Sequence, residues 1–196
     1  MSRAAELVSD ATRKMLSEGQ LPRPVISSAC PAVVRLIRVR FPDLIRHILP
    51  LQAPVEVAAR LAKKEAMERT GLPAEKIGCI FISPCAAKVT AVKMPLGTKK
   101  SAIDAVVAIR DVYPKMLSFM KEEVGAPEEY LSSGRMGIGW GSSGGESAAL
   151  LNDRYLAADG IENVIRVLED LEDEKLGSVD FCGAETPVPA DVSAGC

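Results

Sequence analysis

Histidine occurs once in this sequence, at His47. Acid–base catalysis by cooperating histidines and histidine-rich metal sites therefore have little basis. No apolar run reaches the length needed to span a bilayer. The N-terminal stretch MSRAAELVSDATRKML is interrupted by Arg3, Glu6, Asp10, Arg13 and Lys14. It reads as an amphipathic helix, since a secretory signal needs an unbroken apolar region. Neither sign of charge dominates: the formal net charge is -2, with acids and bases interspersed. That excludes a basic stripe for nucleic acid and a polyacidic tail. Internal repeats and low-complexity segments are absent, as are CxxC pairs and zinc-finger spacings. A soluble, cytoplasmic chain is expected.

What is present is an ample supply of core residues. Apolar side chains make up 47% of 196 residues, enough for one medium domain or two small lobes. Five cysteines accompany them. An odd count without a secretory signal points away from a disulfide framework and toward buried thiols, metal ligands or a redox centre.

The hydrophobic pattern alternates strand and helix. Pro24–Ser27 is a short apolar run, followed by Pro31 at a position that tolerates a missing N–H at a helix start. Val33, Val34, Leu36, Ile37 and Phe41 continue at helical spacing. A helix is expected from Pro54 to Thr70, stopped by Gly71. Ile77–Ile82 and Asp104–Ile109 read as strands covered on both faces, with Asp111–Glu123 the helix after the second. Met136–Trp140 is expected as a weaker strand running into the Gly141–Gly145 loop, Glu146–Ala157 and Gly160–Lys175 as helices, and Ser178–Cys182 as a last strand. The fold class that follows is α/β, a mostly parallel sheet flanked by helices. Open parallel sheets bind ligands beyond the carboxyl ends of their strands. Cys30, Cys85, the Gly141–Gly145 loop and Cys182 are all expected there, just past a strand.

The cysteines differ in setting. Cys30, in Ser28–Ala29–Cys30–Pro31, sits at a strand-to-helix turn, where helix N–H groups stabilise a thiolate. A metal ligand or nucleophile and a small buried cap residue are both open readings. Cys85, in Ser83–Pro84–Cys85–Ala86–Ala87–Lys88, has a lysine three residues on that would hold an anionic ligand in place; a loop cysteine beside a solvated lysine is the alternative. Cys79 falls inside an apolar strand and reads as a structural buried thiol. Cys182 and Cys196 flank a Pro- and Ala-rich tail. The Gly141–Gly145 loop lacks the Gly-Lys-Ser/Thr ending of a phosphate loop and reads as a tight turn needing close backbone approach.

Taken together, these segments resemble the large-subunit catalytic domain of iron-only hydrogenases. The family's Thr-Ser-Cys-Cys-Pro-Gly-Trp-Val-Arg signature resembles Ser27–Arg35, where Cys30 and Pro31 match. Its Tyr-Pro-Glu-Leu and Lys-Ser-Pro-Gln stretches resemble Phe41-Pro42-Asp43-Leu44 and Gln52-Ala53-Pro54-Val55. Met-Pro-Cys-x-x-Lys-x-x-Glu resembles Ser83–Lys88, and Asp-Ile-Asp-Ala-Val resembles Ala102–Val106. Gly-x-x-Gly-Gly-x-x-x-Ala-Ala-Leu resembles Gly141–Leu150. The order is collinear from about residue 20 to 182. The resemblance implies residues 1–182 as a hydrogenase-like α/β domain with a truncated first lobe, and 183–196 as a tail that starts a third cluster-binding loop.

The same resemblance implies a 4Fe–4S cluster held by Cys30 and Cys85, with Cys196 matching the bridging cysteine and Cys182 as a fourth ligand. Lys88 matches the lysine that bonds a diatomic ligand of the family's di-iron subsite. A ferredoxin-like domain or electron carrier and an attached signalling domain are the partners implied. The departures are specific: Ala29 stands where the family has a proton-relay cysteine, Ala91 where it has a glutamate, Ser83 where it has a methionine, and Val192 in place of a third-signature cysteine. An iron–sulfur domain with regulatory, sensory or redox function and little or no hydrogen turnover is expected, its di-iron subsite in doubt. A fragment of an active hydrogenase and a cluster-free protein-interaction module are the alternatives. On the cluster reading, Cys30 and Cys85 should end adjacent strands and face one crevice, and the tail should order only when metal anchors Cys196.

Overall fold

The computed structural model describes residues 1–122 and 134–185. In chain order the elements are α1 (Ser2–Ser17), β1 (Val25–Ile26), α2 (Pro31–Arg40), a 3-10 turn (Pro42–His47), α3 (Pro54–Thr70), β2 (Ile80–Ser83), α4 (Ala86–Lys93) and β3 (Ala105–Ala108). There follow α5 (Ile109–Glu122), α6 (Arg135–Gly139), α7 (Gly145–Ala148), β4 (Tyr155–Asp159), α8 (Ile161–Glu172) and β5 (Phe181–Glu185). They divide into two units, one of Met1–Pro54 with Gly134–Cys196, the other of Val55–Ser133. Every strand pairing among the described residues is parallel, so the α/β class with parallel sheets flanked by helices is as expected.

The first unit is organised by β5. It lies between β1 and β4, pairing Phe181 with Val25 and with Tyr155, and Cys182 with Ile26 and with Leu156. Alternate strand residues point to opposite faces, and here each face has its own core. Ile26, Cys182, Ala184 and Ala158 pack with Val33 and Ile37 of α2 and with Val164, Leu168 and Leu171 of α8. Val25 and Phe181 pack with Leu16 of α1, Leu49 and Leu150 on the other. The helices meet this demand by periodicity: Ala4, Ala5, Val8, Thr12 and Leu16 line the buried face of α1. Asp180, just before β5, is buried and receives hydrogen bonds from Arg23 at 2.7 Å and Asn152 at 3.1 Å. Burial alone would raise its pKa, but the Asn152 and Arg23 hydrogen bonds and the charges of Arg23 and Arg154 outweigh that and hold it below the usual carboxylate range.

The second unit has a two-stranded sheet, Ile80 opposite Ala105 through Ser83 opposite Ala108. Helix α3 is fastened to the approach to β3 by two side chains two turns apart. The Glu56 carboxylate accepts from the Ser101 hydroxyl and from the Ala102 N–H at 2.8 Å. Lys63 pairs with Asp104 at 2.7 Å, and Asp104 also accepts the Cys79 N–H at 2.7 Å. The Lys63 hydrogen bond, then that of Cys79, holds the Asp104 carboxyl below its ordinary value.

Several expectations need correction. Residues 136–139 are helical and Trp140 caps the helix, so this stretch is not a strand: α6 lies against α1 because glycine removes the side chains that would keep them apart. A Cβ at Gly137 would overlap the Ser2 backbone, and the Trp140 indole N–H donates to the Ser9 hydroxyl at 3.0 Å. Residues 146–157 are not one helix. Chain direction changes after α7, where Leu151 takes a φ of 53° and the Arg154 N–H donates to the Asn152 side chain at 2.8 Å. The Ala-rich Tyr155–Asp159 then becomes β4, since pairing with β5 overrides helix propensity. Strand β5 runs through Gly183–Glu185, beyond the expected end at Cys182; residues 186–196 of the tail lie outside the described residues. In the second unit, Ile80 and Ile82 are 64% and 45% exposed, so β2 is not covered on both faces, and Cys79 lies half-buried just before that strand. Strands β1 and β2 belong to different sheets; Cys30 and Cys85 therefore do not end adjacent strands.

Candidate functional site

Cys30 occupies the N-cap of α2 with φ −93° and ψ 108°, followed by Pro31 in the first helical turn. The turn before it is tied at each residue. Ser27 N–H donates to the Cys182 carbonyl at 2.9 Å, extending the β1–β5 ladder. The Ala29 N–H donates to the Ser27 hydroxyl at 3.1 Å, and the Ser28 hydroxyl donates to the Leu51 carbonyl at 2.8 Å. The Cys30 carbonyl accepts the Val34 N–H at 3.1 Å, the first bond of the helix. Cys30 thus stands half-buried at the N-terminus of α2, the positive end of the helix dipole.

Cys85 is built the same way in the other unit. It caps α4 with φ −104° and ψ 116°, and its N–H donates to the Ser83 hydroxyl at 3.1 Å. The Lys88 N–H donates to the Cys85 carbonyl at 3.2 Å, which places Lys88 in the first turn of α4. In both turns a serine hydroxyl accepts the N–H two residues on, a local bond that holds the chain out of helix until the cysteine.

The remaining cysteines are placed otherwise. Cys182 lies within β5, 1% exposed, rather than past a strand end, and burial pushes its thiol up to about 12. That environment suits a core thiol and opposes the thiolate a metal requires. Burial also raises the Cys79 thiol, against the opposing charge of Lys63. Cys196 lies outside the described residues. Among the described residues, no three or more of His, Cys, Asp and Glu gather into a metal-binding group. His47 ends the 3-10 turn with its Nδ1 2.9 Å from the Pro24 carbonyl, a structural contact.

The glycine loop follows helix α6, not a strand, and is a tight turn as expected. Gly144 has φ 74°, and a Cβ at Gly145 would overlap the Gly139 carbonyl. What this turn delivers was not foreseen: Glu146, 4% exposed, accepts the Ser27 hydroxyl at 2.6 Å. The available sequence signal was an acid set among Gly144, Gly145, Ser147 and Ala148, where small neighbours imply close packing.

The fold and two helix-capping thiols define an α/β domain of the kind that presents cysteines at strand-to-helix turns. The profile described as iron only hydrogenase large subunit, C-terminal domain, matches residues 1–180; the chain belongs to this hydrogenase-like iron–sulfur family. It is 24% identical over 168 residues to the NADP-reducing hydrogenase subunit HndD of Solidesulfovibrio fructosivorans, covering 82% of this chain and 28% of that protein. To the cytosolic Fe-S cluster assembly factor nar1 of Aspergillus terreus it is 31% identical over 82 residues, 41% of this chain and 14% of that protein. A solved variant of FeFe-hydrogenase HydA1 from Chlamydomonas reinhardtii shares the fold with TM-score 0.60 at 15% identity, over 100% of this chain and 66% of that one. The chain therefore spans less than a third of the length of the curated relatives it matches. No helix among the described residues is long and apolar enough to cross a membrane.

The residues present fit an iron–sulfur cluster in part. Cys30 and Cys85 have the donor type that cluster ligation needs, and each caps the N-terminus of a helix. Cys182, buried in β5, does not.

Proposed function

We propose that this chain is an iron–sulfur-binding redox domain that reports or relays oxidation state and turns over little or no hydrogen. The observation that carries the reading is the repeated turn: Cys30 and Cys85 each cap a helix after a strand, with a serine hydroxyl fixing the approach. Cys30 and Cys85 would hold the cluster, with Cys196 a third ligand; bound there, a 4Fe–4S cluster supplies one-electron transfer. Lys88, in the first turn after Cys85, contributes positive charge toward an anionic ligand set. Weak turnover follows from Ala29, which cannot carry a proton, whereas a general acid must stand within hydrogen-bond reach of its partner. A ferredoxin-like domain or electron carrier is the partner this chemistry calls for, and an attached signalling domain would use its output in a cytoplasmic setting.

The test is anaerobic reconstitution of the chain with iron and sulfide. Bound iron and sulfide with broad visible absorbance are expected, lost in Cys30→Ser and Cys85→Ser and retained in Cys182→Ala. Wild-type protein that takes up neither would sink the cluster reading. Hydrogen evolution should be near zero and rise in Ala29→Cys; robust turnover by the wild type contradicts the reading. Similarity to the cluster assembly factor favours a second reading, in which the cluster is handed on. Transfer of iron and sulfide to an apo-ferredoxin acceptor would support it.

A further inference from the structure

Carboxylates are almost never fully buried unless they are paired. Glu146 is 4% exposed, yet it lies on a helix of a single turn whose other residues are small. If packing were its only task, an apolar side chain would serve at lower desolvation cost. Its place is nevertheless built to tight tolerance from two sides. On one side, only a glycine at 145 lets the backbone pass the Gly139 carbonyl. On the other, a Cβ at residue 183 would overlap the Ser147 hydroxyl as it is placed, so the glycine there lets Ser147 sit against β5. Helix α7 is thereby pressed onto β5, and Glu146 reaches the end of β1.

There it meets the Ser27 hydroxyl at 2.6 Å, within the range of hydroxyl-to-carboxylate bonds. That hydroxyl is committed twice. It donates to Glu146 and accepts the Ala29 N–H, so the carboxylate fixes the direction of the hydroxyl, and the hydroxyl fixes the residue before Cys30. The route from Glu146 to Cys30 is one hydroxyl and one peptide long.

We propose that Glu146 is the positioning residue of the Cys30 turn: acting through Ser27, its carboxylate holds Cys30 in the geometry that ligates metal and adds negative charge to the surroundings of that ligand. The first half concerns the metal-free protein. The second rests on the cluster reading, because negative charge near a cluster disfavours its reduction and lowers its potential.

Two measurements separate these. In metal-free protein, hydrogen exchange at the Ala29 and Cys30 amides should accelerate at least tenfold in Glu146→Ala and in Ser27→Ala, and stay near wild type in Glu146→Gln, whose amide oxygen still accepts the hydroxyl. Unchanged exchange in folded Glu146→Ala and Ser27→Ala overturns the positioning role, whether or not the chain binds metal. In reconstituted protein, Glu146→Gln should keep its iron and sulfide content while its midpoint potential moves to more positive values. An unmoved potential at full loading overturns the charge role, since a purely structural residue would also leave it unmoved. Wild type without a cluster would refute the function proposed above and the charge role with it, and leave the exchange result to decide the rest.

Discussion

The two units present the same cysteine turn on unequal foundations. In the first, β5 is buried on both faces between two apolar clusters, and Cys30 follows a strand whose residues are inaccessible to solvent. In the second, Ile80 and Ile82 are exposed, and helix α5 shows Tyr113, Met116, Phe119 and Met120 to solvent. Its ties are chiefly polar, through Glu56, Lys63 and Asp104. A local turn of given geometry can therefore be supported by packing or by hydrogen bonds. The two supports should differ in depth of stability.

The sharpest way to break this contrast is to remove one aliphatic side chain from each unit. Ile37→Ala empties a fully buried position and should cost about 3–4 kcal/mol, whereas Ile82→Ala should cost less than about 1 kcal/mol. Chemical denaturation with amide exchange resolved over β5 and β2 checks both; equal losses would mean that the second sheet is as well packed as the first. Next in size, Gly183→Ala forces a methyl against Ser147 and should cost about 1–3 kcal/mol through overpacking, with accelerated exchange in β4 and β5 and none in β2.

The smallest effect is electrostatic. Asp180 and Asp104 both have pKa values lowered by folding. The unfolded chain then binds protons more readily as pH falls, so their stabilisation is complete above the ordinary carboxylate pKa and disappears as pH drops through the lowered folded values. Asp180→Asn should flatten the acid limb of the stability curve of the first unit by about 1–2 kcal/mol, having a buried partner network to lose. Asp104→Asn should change the second unit less and only at low salt, because solvent screens that pair. An acid limb unchanged by Asp180→Asn would remove this asymmetry.

Much of this was legible in the sequence where the pattern is local. Helices α1, α2, α3 and α8 follow from apolar periodicity, and α3 ends at Thr70 before Gly71 as its composition requires. The turns of Cys30 and Cys85 are visible in Ser-Ala-Cys-Pro and Ser-Pro-Cys. What local pattern does not carry is pairing. Tyr155–Asp159 is strand only because β5 lies beside it, and residues 135–139 are helix only because α1 accepts glycines at close range. The same blindness put Cys182 at a strand end, since three further residues extend β5, and it hid Glu146, whose partner Ser27 is remote in sequence.

The position of β5 also sets an order of events. Synthesis delivers β1 early, yet its neighbour in the sheet is the strand at residues 181–185. The intervening Val55–Ser133 unit is made, and can organise, while Val25 and Ile26 still lack their sheet neighbour. Such long-range pairing is slow to form. The first unit therefore closes its sheet only when the last described strand emerges to pair with β1.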